Sequence, residues 1–250
     1  MSQAILSRSP SSAGPVAEAV KRSPSAGSRM TVSRVIGALF LLGFLSYGVG
    51  TSLVTSITGN SDFLSTLSAS QKTLILLGAF LMLLNTVVDV GKGVLFFPIL
   101  EKHSKRTALG YLATMIVEVV LLDVGVIALL MIVPLAQHAG DAGAKTLGSV
   151  LVQTNAIAYQ MGEASLAFGA LFLCTLLFRT RLIPRWLAVA GLIGYAALMA
   201  GAIAEIFGVH IGLYLTMPGF VFELVLPFWL FFKGFQAEAY RGQPAVESAA

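Results

Sequence analysis

NTVVDVGK, residues Asn85 to Lys92, decides the reading of this chain. Asn85, Asp89 and Lys92 stand at i, i+4 and i+7, so a helix puts all three on one face. The stretch lies inside an apolar run from Thr73 to Leu100. A run of that length reads as a membrane span. An acid and a base at such depth are costly, and they face the interior of a bundle or a water-filled cavity. The other spans are therefore expected to help cover this stripe.

Composition supports a membrane setting. The 250 residues are 56% hydrophobic and only 11% charged, against about 25% charged in soluble domains. The lone cysteine, Cys174, excludes an intrachain disulfide and a cysteine-based zinc site. No strongly basic, aromatic-studded segment points to nucleic acid. There is no HExxH, no GxSxG in a strand–helix setting and no phosphate loop. The sequence thus implies no catalytic residues, no metal ligands and no cofactor.

Outward from the opening stretch, six spans are expected at about 34–57, 73–100, 109–133, 154–178, 186–207 and 216–233. Together they form an all-α, polytopic transmembrane domain over 33–236. Residues 1–32 are rich in Ser, Pro, Ala and Gly and read as a solvated, disordered tail. Residues 237–250 read as a second tail. Lys145 to Val152 is expected as a short interfacial helix ahead of the fourth span. Trp186 suits an interfacial anchor.

Six spans place both termini on one side. Arg34, Lys102, Lys105, Arg106, Arg179, Arg181, Arg185 and Lys233 all fall on that side, while the opposite loops hold Lys72 and Lys145. By the positive-inside rule both termini are expected to be cytoplasmic.

Asp89, Glu118, Asp123, Glu163, Glu205 and Glu223 fall within spans, and Lys92 is the one base among them. An acid at a span's centre costs on the order of 3 kcal/mol on insertion scales. Inward placement is therefore expected. The expected polar cavity comprises Asn85, Asp89, Lys92, Glu118, Gln160, Glu163 and Glu223, opening outward. Asp123 is about 140° from Glu118 around the helix, so it should answer a different neighbour. Glu205 lies near the outer boundary and reads as interfacial. Pro227 removes the hydrogen bond to the carbonyl of Glu223 and is expected to kink the sixth span. On span one, Ser46 and Gly50 form a small-xxx-small pair for close helix contact.

Two stretches carry a family resemblance. They are YQMGEASLAFGALFLCTLLFRTRLIPRWLAVAGLIGY (Tyr159 to Tyr195) and PGFVFELVLPFWLFFKGF (Pro218 to Phe235). They resemble a bacterial multi-pass membrane family, domain of unknown function family 4386, over roughly Ser33 to Gln236. Glu118, Glu163, Pro184, Arg185, Gly194, Tyr195, Glu223, Trp229 and Lys233 match the family's typical positions. The family pattern has an arginine shortly before the third-span acid. Met115 stands there in this chain, so Lys92 of span two is open either to substitute for that arginine or to form an ion pair with Asp89 on its own helix. The resemblance implies membership and no particular reaction.

Three functional readings follow. In the first, the protein binds or carries a small solute, an ion or a proton, using the carboxyls and Lys92. In the second, it is a structural or regulatory membrane protein whose acids only hydrogen-bond helices together. In the third, it is an intramembrane enzyme, ranked last for want of a nucleophile–base pair. The lipid bilayer is the expected partner in all three.

Overall fold

The computed structural model describes residues 26–236. The residues before and after, which include most of the two expected tails, lie outside the described region. Six helices follow one another: α1 (Ala26–Thr58), α2 (Ala69–Leu100), α3 (Lys105–Leu135), α4 (Ala144–Thr180), α5 (Arg185–Ile206) and α6 (Gly212–Phe232). All six are long and apolar enough to cross a membrane. The chain is an all-helical, multi-pass integral membrane protein.

Each helix packs on its neighbours in sequence, and α6 returns to α1 to close the bundle. That closure is polar as well as apolar. Arg34 Nε donates to the Phe231 carbonyl at 3.3 Å, and the Phe235 amide donates to Ser33 Oγ at 3.3 Å. Both ends of the described chain therefore meet on one face, the terminal face.

Local chemistry sets the helix starts. Ser68 and Gln71 form a reciprocal capping box at α2, satisfying two amide groups that the first turn leaves open. Ser104 Oγ caps α3 by accepting from the Thr107 amide at 3.2 Å. Two boundaries differ from expectation. Residues 26–32, assigned above to a solvated tail, are the first turns of α1. Residues 145–152 are not a separate interfacial helix but belong to α4, which runs unbroken for 37 residues. At 1.5 Å per residue α4 is about 55 Å long, well beyond the ~30 Å hydrocarbon layer. Near its start Lys145 forms an ion pair with Asp62 of the α1–α2 loop.

Close helix approach rests on glycine. A Cβ at Gly50 would lie 2.7 Å from the Gly78 carbonyl oxygen, so α1 and α2 cross backbone to backbone. On α5, a Cβ at Gly194 would lie 2.7 Å from Gly219 Cα of α6. Such contacts replace a hydrophobic drive that lipid cannot supply between helices.

The core is two apolar clusters. One fills the terminal half, around Phe96, Tyr111, Met115, Leu173, Leu177 and Leu226. The other fills the opposite half, around Val54, Ile75, Met82, Val126, Leu129 and Ile132. Between them, at the level of Asp89 on α2 and Glu118 on α3, the packing gives way to a polar layer.

Candidate functional site: an acidic cavity at mid-depth

The polar layer encloses a cavity of about 310 Å³ to which every helix contributes. From α1 come Phe40, Gly43, Phe44, Tyr47 and Gly48; from α2, Asn85, Asp89 and Lys92. Glu118 and Leu122 line it from α3, Tyr159, Glu163 and Leu166 from α4, and Leu198 from α5. Thr216, Gly219, Phe220 and Glu223 complete it from α6.

The α2 residues form a stack. Asn85 Nδ2 donates to Asp89 Oδ2 at 2.7 Å, and Lys92 Nζ lies 2.5 Å from Asp89 Oδ1. Both carboxylate oxygens of Asp89 are thus engaged from its own helix. Lys92 also sits 4.6 Å from the centroid of the Phe40 ring, where the negative face of the ring attracts the ammonium. All three polar residues are buried. Gly43 makes the room: a Cβ there would stand 2.9 Å from Asn85 Oδ1.

Lys92 is paired with Asp89 on its own helix, the ion pair that their i, i+3 spacing allows. A lysine three residues from an aspartate on the same helix reaches it more readily than a partner across the bundle. Met115 is fully buried beside Gly93 in the apolar cluster.

Glu118 is the exception in this layer. It is 3% exposed, yet its Oε2 has no hydrogen-bond partner. Glu223, by contrast, accepts a hydrogen bond at Oε1 from the Tyr195 hydroxyl at 2.7 Å. Glu163 is half-buried on the cavity wall. Four carboxyls therefore line one space with a single ammonium.

Gln160 does not line the cavity, contrary to expectation. At about 100° per residue, Tyr159, Glu163 and Leu166 share one face, and Gln160 is turned about 100° from Tyr159 and is not among the lining residues. Asp123 likewise turns away, toward Thr86 of α2, and its Oδ1 is buried without a partner. Glu205 clamps the α5–α6 turn: Oε1 accepts from the Gly212 amide at 2.8 Å, and His210 Nδ1 lies 2.9 Å from Oε2. Pro227 is buried within a continuous α6, its carbonyl close to Gly37 of α1. Among the described residues, no three acids, histidines or cysteines converge closely enough to hold a metal ion.

Of the aromatic lining, Tyr159 is placed inward by its i−4 spacing from Glu163, whereas the rings of α1 and α6 were not singled out from the sequence. Phe40, Gly43, Phe44 and Tyr47 fall at i, i+3, i+4 and i+7, a helical face that was legible in principle. Tyr47 stacks on Tyr159 of α4, with centroids 5.3 Å apart and planes 21° apart. Phe44 meets Phe220 of α6 edge to face at 5.2 Å. Toward the opposite face from that contact lies Gly48, where a Cβ would meet nothing within 4 Å. The cavity is therefore open beside Gly48.

Neither the curated proteins nor the solved structures contain a match to this chain. A family model does match, over residues 35–234, which takes in all six spans and the whole cavity. The chain belongs to the family described as domain of unknown function (DUF4386).

Proposed function

We propose that this membrane protein binds and carries a small solute, an ion or a proton through its acidic cavity. The proposal places both termini in the cytoplasm, on the strength of the basic residues gathered at the terminal face. The observation that carries it is Glu118, a residue that lines a space large enough for a ligand at mid-depth while its buried Oε2 has no hydrogen-bond partner. An acid retained only to join helices would spend its hydrogen-bonding capacity on a neighbour, because an unmade bond costs about 1–3 kcal/mol. Asp89 does spend it, on Asn85 and Lys92.

Proton binding at Glu118, Glu163 or Glu223 would change the charge of the cavity by one unit and so alter its affinity for a charged solute. Transport would also require the apolar packing around Phe96, Tyr111 and Met115 to loosen, because it fills the route to the terminal face.

The second reading, a purely structural set of acids, is favoured by the Tyr195–Glu223 bond between α5 and α6 and by the closed Asn85–Asp89–Lys92 stack. Reconstitution separates the two. Purified protein in liposomes should show flux driven by a pH gradient, and Glu118→Gln should abolish it while the protein stays folded. Absence of flux for protons and a broad set of small solutes would overturn the carrier reading. Labelling of single cysteines placed at Lys145 and at Arg106, in intact cells, tests the orientation; only the former should react with an impermeant reagent.

A further inference from the structure

We infer that the ligand of this cavity is an organic ammonium ion, seated with its cationic group against the Glu118 carboxyl among the aromatic rings. The inference rests on the reading of the cavity as a ligand site and narrows it to one chemical class.

The protein already holds one ammonium here, and the way it does so is instructive. Lys92 Nζ is met by a carboxylate oxygen at 2.5 Å and by the face of Phe40 at 4.6 Å. The remainder of the lining repeats those two kinds of group without a cation. Glu118 and Glu163 supply carboxyls, and Phe44, Tyr47 and Tyr159 supply rings. Carboxyls and ring faces both favour positive charge. Anionic solutes would meet four carboxyls and one ammonium that Asp89 already neutralises.

Size and composition argue for an organic cation over an inorganic one. A volume of about 310 Å³ sits at the lower end of small-molecule pockets, ~300–1,000 Å³. A bare metal cation instead needs a tight shell of about six oxygens. Much of this wall is carbon: Leu122, Leu166 and Leu198 besides the rings. Such a wall suits the apolar body of an amine. Gly48 and Phe220 of α6 both line the cavity and are both exposed. An amphiphilic ammonium would enter there.

The test is equilibrium and stopped-flow binding to the full chain in lipid nanodiscs, with empty nanodiscs subtracted. The probes are phenethylammonium, the neutral phenethyl alcohol and the anionic 3-phenylpropionate. Phenethylammonium should bind saturably, at least tenfold tighter than the alcohol, and the anion should not bind. Glu118→Gln should weaken phenethylammonium at least tenfold. Gly48→Phe adds a side chain where the structure has space, so it should fold normally and slow association severalfold. Equal binding of the ammonium and the alcohol, or a preference for the anion, would overturn the inference. So would unchanged affinity in a folded Glu118→Gln protein. Should that variant not fold, Gly48→Phe decides: an unchanged association rate refutes entry at this site. If phenethylammonium does not bind while Glu118-dependent proton flux persists in liposomes, the ammonium inference falls and the carrier reading stands.

Discussion

Replacing Asp89 with Asn should destabilise the bundle by about 2–4 kcal/mol, and the reasoning behind that figure is open to test. Asp89 and Lys92 are 3% and 8% exposed and lie 2.5 Å apart. At an effective dielectric near 20, opposite charges about 4 Å apart attract by on the order of 4 kcal/mol. Removing one member of a buried pair costs about 3–5 kcal/mol, because the survivor is left uncompensated. Part of that loss is returned, since Lys92 keeps the Phe40 ring at 4.6 Å, worth about 1 kcal/mol. An asparagine can also retain a hydrogen bond with Asn85. Lys92→Met should cost a similar amount. The double variant Asp89→Asn/Lys92→Met should lose little beyond either single change, giving a coupling of at least ~2 kcal/mol. Reversible unfolding in mixed micelles, followed by tryptophan fluorescence or steric trapping, measures all three variants. Additive losses, or a cost below about 1 kcal/mol for Asp89→Asn, would refute the claim that this pair is a buried, mutually dependent unit.

Three other substitutions probe separate features. Gly194→Ala drives a methyl group against the α6 backbone, 2.7 Å from Gly219 Cα and 3.0 Å from the Pro218 carbonyl; it should cost about 1–3 kcal/mol, seen as a lower unfolding midpoint. Tyr195→Phe deletes the hydroxyl that Glu223 accepts from. Its cost should be only ~0.6–2 kcal/mol, the range for polar contacts between membrane helices, measured by the same unfolding assay. Lys145→Ala breaks an exposed ion pair with Asp62 and should shift stability by no more than ~1 kcal/mol, with the remaining effect vanishing at high salt.

Much of the architecture was legible because hydrocarbon imposes a strict rule on length and polarity. Six uninterrupted apolar runs had to be helices, and their ends fall within a few residues of the basic and proline-containing turns. The errors came at the two ends where polarity and helicity part company. Residues 26–32 are helical though polar, and the short helix expected at 145–152 runs without a break into the fourth span, since a helix does not stop where the membrane does. Within the cavity, periodicity along one helix carried real information: Asn85, Asp89 and Lys92 share a face and touch. Partners across helices were not legible. Tyr195 meeting Glu223, Tyr47 stacking on Tyr159, and Asp123 facing Thr86 depend on how helices rotate against one another. That rotation is set by glycine contacts such as Gly50 with Gly78, which a single sequence does not pair. Gln160 misled because nearness to Glu163 in the chain is not nearness to the cavity.

The meeting of α1 with α6 has a consequence for biogenesis. A nascent chain released into the bilayer one helix at a time cannot finish its acidic chamber until the last segment arrives, because Glu223, Thr216 and Phe220 come from α6. Until then Ser33, Gly37 and Phe44 lack the surface they rest against. Ribosomal stalling after Ile206 would leave Glu118 and Glu163 on a wall with one side missing. A membrane-embedded quality-control protease could recognise that lipid-facing acid, and a late premature stop would then be expected to lower abundance as sharply as an early one.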